Sequence, residues 1–230
     1  DADGLGTLNY QWQQSTDGTN WTNISGATNT TLSLGDNQVG KFVRIQVTYT
    51  DGQGTVETVN SSATSAVVNV NDVPTGSVTI TGTATENQTL TASNNLADAD
   101  GLGTLNYQWQ QSTDGINWTN ISGATNTTFT LGDNQVGKQI RVQVSYTDGQ
   151  GTVETVNSNA TSAVVNVNNS PTGSVTLNGT AAKNQTLTAN NNLADADGLG
   201  TLNYQWQQST DGTNWTNISG ATNTTLSLGD

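Results

Sequence analysis

Pairs of carboxylates two residues apart, Asp1 with Asp3, Asp98 with Asp100 and Asp195 with Asp197, are the feature of this 230-residue sequence best suited to chemistry. Hard divalent cations such as calcium are held by carboxylate and carbonyl oxygens at close spacing. Counted from Asp98, the first and third places are Asp, the sixth is Gly103 and the ninth is Asn106, as in a helix–loop–helix calcium loop. The fifth place is Leu102, which has no side-chain oxygen, and Trp109 stands at the twelfth, where a bidentate Glu is required. The loop also runs into a strand-like stretch. That calcium loop is therefore excluded, and a cation at DADGLG would need oxygens from other loops, with Gly103 serving the turn.

Other chemistry is sparse. There is no His, Cys or Met, which removes the imidazole base, the thiolate nucleophile and the usual zinc or copper ligands. Asp98 with Asp100 or Glu154 could be drawn as an acid/base pair, but no phosphate loop, nucleophile elbow or pocket signature accompanies them. The reading is a protein that is not an enzyme. A net charge of −13 repels nucleic acid and anionic membrane surfaces, and makes divalent cations the more natural partners. No run of 18 apolar residues is present, so no membrane span is expected in these residues. The absence of Cys excludes a disulfide framework without indicating a compartment.

Trp21, Trp118 and Trp215, each in NWTNISGAT, could form a sugar-stacking platform. The stronger expectation is that they cover a sheet edge and core, as a Trp just beyond a turn usually does. Sequons at Asn20, Asn29 and Asn117 are what an Asn- and Thr-rich chain contains by chance.

Positioning such loops is the task of a repeated domain. DADGLGTLNYQWQQSTDG begins at Asp1, Asp98 and Asp195, a period of 97 residues, and residues 1–36 equal 195–230 at every position. That unit is too long for a solenoid repeat and suits one independently folding sandwich. Pro74 and Pro171, the only prolines, lie one period apart where one β-rich run ends and another begins. Junctions placed there give 74–170 as one complete unit, 1–73 as the later part of a unit lacking its first two strand-like runs, and 171–230 as the earlier part of one. The array is expected to continue beyond these residues.

Within 74–170, the runs SVTITGT, NQTLTA, NYQWQQS, NWTNI, TTFTL, KQIRVQVSYT, GTVETV and SAVVNV alternate in β-branched and aromatic residues. Asp-Gly pairs at 100–101, 114–115 and 148–149 supply tight turns. About seven short strands per unit predict an all-β sandwich. The 15 differences between 1–97 and 98–194 then phase the faces. Val43/Ile140, Ile45/Val142 and Leu32/Phe129 exchange apolar for apolar, whereas Phe42/Gln139 and Glu86/Lys183 exchange as solvent-facing positions can. Val43, Ile45, Val47 and Tyr49 should thus point inward, with Ile140, Val142, Val144 and Tyr146 likewise, beside Trp12 and Trp109.

A central Trp in YQWQQ followed by TTLSLGDNQVGKFVRIQV resembles the immunoglobulin pattern, without its disulfide. The repeat, with VNDVPTG at its junction and LADADGLGTLNYQWQ, looks like the Ig-like tandem repeats of giant secreted bacterial surface proteins. The resemblance implies Greek-key Ig-like domains in an extracellular or cell-surface stalk or filament for adhesion, biofilm or cell–cell contact. It also implies neighbouring repeats, identical chains or extracellular glycans and surfaces as partners. In an Ig-like sandwich the incoming linker and two of the loops share one end, which would gather Asp72, Asp98, Asp100 and Asp148 into a junctional calcium site. The alternative is an array of glycan- or surface-binding modules. Against it, DADGLGT, STDG and TDGQGT do not vary between repeats, whereas ligand choice would place variation in the loops.

Overall fold

A computed structural model describes residues 2–229. In chain order the first stretch forms β1 (Asn9–Ser15), β2 (Thr22–Asn23), a 3-10 turn at Asp36–Gln38, β3 (Phe42–Thr50) and β4 (Val56–Asn60). The middle stretch forms β5 (Val78–Thr81), β6 (Thr89–Asn94), β7 (Asn106–Ser112), β8 (Thr119–Asn120), β9 (Thr128–Thr130), a second 3-10 turn at Asp133–Gln135, β10 (Gln139–Thr147) and β11 (Val153–Asn157). The last stretch forms β12 (Val175–Asn178), β13 (Thr186–Asn191), β14 (Gln207–Gln208), β15 (Thr216–Asn217) and β16 (Thr225–Ser227).

The chain is all-β and its ladders are antiparallel. In the middle unit, β5-β6-β9 form one sheet and β11-β10-β7-β8 another. Their inner faces enclose one core: Val78 and Leu90 from the first sheet, and Trp109, Ile140, Val142 and Tyr146 from the second. The strict alternation of β10 is the direct cause, because every second side chain along FVRIQVTY-type runs faces the opposite sheet. Ile140, Val142, Val144 and Tyr146 are buried as the phasing expected. Each such side chain stabilises the unit by about 1.5–3 kcal/mol relative to exposure.

The flanking units hold parts of this arrangement. The first has the four-stranded sheet β2-β1-β3-β4, in which Val43 is buried but Ile45, Val47 and Tyr49 are only half-covered. The third has β12-β13-β16 with the short pair β14-β15. SAVVNV, expected as a strand, forms single bridges instead. Val164 pairs with Val136 and Val165 with Thr85, so consecutive residues turn to partners on opposite sides and no ladder can lengthen.

The STDG turns are held alike in all three units. Asp114 Oδ1 accepts the Ile116 and Asn117 backbone N–H groups at 2.9 and 2.8 Å, and its Oδ2 accepts the Asn117 side-chain amide. Those donors, the Asn117 backbone foremost, hold its carboxyl well below the usual carboxylate range, as they do for Asp17 and Asp211 at the same place. A depressed carboxylate stabilises the fold above its ordinary value of 3.8 and loses that contribution as pH falls through the folded value, so these turns weaken only in strong acid.

Candidate functional site at the unit junctions

Each member of the DADG doublet has a distinct structural task. Asp98 accepts the Asp100 N–H on Oδ1 at 2.9 Å and the Tyr146 hydroxyl on Oδ2 at 2.6 Å, tying the loop to β10. Burial, and then that bond to the Asp98 carboxylate, raise the Tyr146 phenol, so it stays a hydrogen-bond donor. Asp100 is buried, and its Oδ2 accepts the backbone N–H of Asp72 from the incoming linker at 2.8 Å. One period later, Asp197 Oδ2 accepts the N–H of Asn169 at 2.6 Å, and this bond leads the causes that lower its carboxyl. The second Asp of the doublet therefore grips the preceding linker at both junctions.

The second junction is tied from both sides. Glu86 Oε2 accepts the Val167 N–H at 3.0 Å, and its Oε1 accepts the Asn169 side-chain amide at 3.2 Å. Asn169 thus joins Glu86 of the middle unit to Asp197 of the third. Glu86 was expected to face solvent because its counterpart is Lys183; it is instead only 1% exposed. The physical reason is these bonds, led by the Val167 N–H, which lower the Glu86 carboxyl and let it stay charged out of water. No pattern within one strand signals this, since its partners lie about 81 residues away.

At the first junction Asp72 occupies the place of Asn169, and its surroundings are acidic. The charge of Asp36, then burial, then the charge of Asp100 raise the Asp72 carboxyl above its ordinary value. The sign follows directly. A raised folded-state value favours the docked junction below the ordinary carboxylate value of 3.8, and that contribution is lost as pH rises through the folded value. Hydrogen exchange at the Asp72 amide is expected to quicken as pH climbs through that window, after correction for intrinsic rates. Asp72→Asn should abolish the dependence, and an unchanged profile in that variant would refute the assignment.

The four residues expected to hold calcium are brought together in part. Asp72, Asp98 and Asp100 share the first junction. Asp148 lies in the β10–β11 turn, which packs on the DADG loop through a Gly149 N–H to the Asp100 carbonyl at 3.0 Å. Burial pushes Asp148 up, but the N–H groups of Thr152, Gln150 and Gly151 outweigh it and leave its carboxyl lowered. Its Oδ1 accepts the Gln150 and Thr152 N–H groups, while Oδ2 is buried without a partner. Among the described residues no group of three or more acidic side chains is arranged to hold a metal ion. Of the other doublets, Asp1 lies outside the described residues, and Asp195 accepts the Asp197 N–H at 2.9 Å.

The linkers that these loops grip also divide the match to known families. Residues 1–72, 79–169 and 177–230 each match a domain of unknown function, DUF8696, and the unmatched stretches contain Pro74 and Pro171. The chain belongs to the DUF8696 family. Curated proteins provide no match to it. Among the described residues no helix is long and apolar enough to cross a membrane.

In the DUF8696 units the indole of Trp118 does not enter the core. The guanidinium of Arg141 lies 4.4 Å from its ring centroid, and Arg44 lies 4.3 Å from Trp21. The Arg141 Nε donates to Gln110 Oε1 at 2.7 Å, and Gln110 donates to Asn120 at 2.8 Å, which fixes the cation over the ring. Trp215 is 57% exposed. The core tryptophan is Trp109, whose indole N–H reaches the Asn126 carbonyl at 2.8 Å.

Proposed function

We propose that this DUF8696 chain is a structural spacer whose units are joined by a repeated lock, forming an extracellular stalk or filament of the kind the Ig-like bacterial surface repeats build. The observation that carries this reading is the same linker-to-carboxylate bond at both junctions, Asp72 to Asp100 and Asn169 to Asp197. A lock reused at each period limits bending between units, and limited bending is what converts many units into reach. An Ig-like Greek key fits the three- and four-stranded sheets of the middle unit. Adhesion, biofilm or cell–cell contact would follow from length. The glycan-binding alternative loses support because an arginine occupies a face of Trp118 and of Trp21.

Calcium belongs to this reading at the first junction. The oxygen donors of Asp72, Asp98, Asp100 and Asp148 suit a hard cation, and bound charge would relieve the repulsion between Asp72 and Asp36. Small-angle scattering on the 230-residue chain, in chelator and in calcium, tests both parts. A narrow distribution of lengths is expected, tightened by calcium and broadened when Asp100→Ala and Asp197→Ala remove the linker acceptors. Scattering that fits freely jointed units before any substitution refutes the spacer. A calorimetric titration without heat removes calcium and leaves the hydrogen-bonded lock.

A further inference from the structure

Glu86 lies in the turn between β5 and β6, and Asp133 opens the second 3-10 turn, so their carboxyl groups come from separate elements of the middle unit. One side-chain amide joins them: Asn169 Nδ2 lies 3.2 Å from Glu86 Oε1 and 3.5 Å from Asp133 Oδ1. The two carboxyl groups are also in hydrogen-bonding contact with each other. An ionised carboxylate only accepts, so a hydrogen bond between two carboxyl groups requires a proton on one of them. The other partners of Glu86 are donors that favour its charged form. The Val167 N–H reaches Oε2 at 3.0 Å, and the Asn87 side-chain amide reaches Oε1 at 3.4 Å. Around the pair, residues 158–170 carry no charge, Lys138 is on the stretch that follows the 3-10 turn, and Asp197 acts on Glu86 from the DADG loop of the third unit.

We propose that Glu86 and Asp133 hold one proton between them, and that this shared proton fastens the outgoing linker to the middle unit through Asn169 and Val167, making the second junction a clasp sensitive to pH. With one proton, Asp133 donates to Glu86, and Glu86 remains the anion on which Val167 and Asn169 converge. Loss of that proton sets two carboxylates beside each other, and the exposed Asp133 turns to water. A second proton removes the charge that holds the Val167 N–H.

The directions of titration agree with this arrangement. The bond to Glu86 leads the causes that raise the Asp133 carboxyl, and the Val167 N–H leads those that lower Glu86. The contribution of Asp133 is fully present below its ordinary value of 3.8 and is lost as pH rises through the raised folded value. That of Glu86 is present above its ordinary value of 4.5 and is lost as pH falls through the lowered one. The clasp is therefore tightest between the two folded values and loosens on either side. Glu86 is replaced by Lys183 one period on, so the shared proton belongs to the middle unit's clasp and not to every unit. It concerns the hold of a linker on its own unit and stands whether or not the units build a stalk.

Hydrogen exchange at the Val167 amide of the 230-residue chain, corrected for intrinsic rates and referred to the β10 amides, reads the clasp. Protection is expected to pass through a maximum in mild acid and to fall by about tenfold toward about pH 8. Asp133→Asn, whose amide donates to Glu86 without titrating, should keep protection level over that range, and Glu86→Gln should remove both limbs. In the unsubstituted chain the carbon-13 shifts of the two side-chain carboxyls should move together in two steps. Val167 protection that does not change with pH overturns the proposal. So does the same profile in Asp133→Asn, or carboxyls that titrate in independent single steps.

Discussion

Trp109→Ala is expected to destabilise the middle unit by about 3–5 kcal/mol, the largest effect of any single truncation in the chain. Trp109 is fully buried between the two sheets, its ring centroid lies 5.7 Å from that of Phe129, and its N–H satisfies the Asn126 carbonyl. Truncation opens a cavity that β7 and β10 cannot collapse into, because Val142 opposite it is held by the β7 ladder on one side and by hydrogen bonds with Ser158 on the other. It also leaves the Asn126 carbonyl without that donor. Hydrogen exchange read strand by strand is the appropriate measurement, since the three units need not unfold together. Protection in β7, β10 and β6 should fall together, while β1 and β3 keep theirs. Trp12→Ala should cost less, because Trp12 is only half-buried against a single sheet. Equal losses at the two positions would contradict the difference in burial between Trp109 and Trp12 as its cause.

Gly103→Ala is expected to destabilise the same unit by about 1–3 kcal/mol, and Gly6→Ala, the same change one period earlier, to act alike in the first unit. A Cβ at Gly103 would collide with the Thr147 carbonyl at the end of β10, and a Cβ at Gly6 with the Thr50 carbonyl at the end of β3. Melting of the two variants, followed by exchange in β10 and β3, tests this, and unaltered protection in both strands would show that the glycine serves the loop and not the contact. This also resolves why Gly103 mimics a calcium-loop glycine: it admits the close passage of the DADG loop over β10.

Much of this was legible from residues alone. Alternation along KQIRVQVSYT placed Ile140, Val142, Val144 and Tyr146 inside, and like-for-like exchanges between repeats marked the same face. The acidic doublet was expected at the junction as part of a calcium site, yet its bonds to the Tyr146 hydroxyl and to the Asp72 N–H were not readable. Glu86 was misplaced for the same reason. A buried carboxylate is recognised by the donors that approach it, and those come from a linker far along the chain.

The repeat shows where the boundary lies. By itself the sequence determined the period, the inward and outward faces of each strand and the Asp-Gly turns, because these depend on residues within a few positions of one another. Tertiary structure decided which of the identical segments become ladders. NYQWQQS is a seven-residue strand at β1 and β7, where β3 and β10 lie beside it, and the two-residue β14 at Gln207–Gln208, for which the described residues include no counterpart of β3 or β10. TLS is paired as β16 against β13, yet the same residues at 31–33 form no strand in the first unit. A β-strand's hydrogen bonds are made to another strand, so its existence is a property of the pair, and a sequence specifies it only when the partner is present.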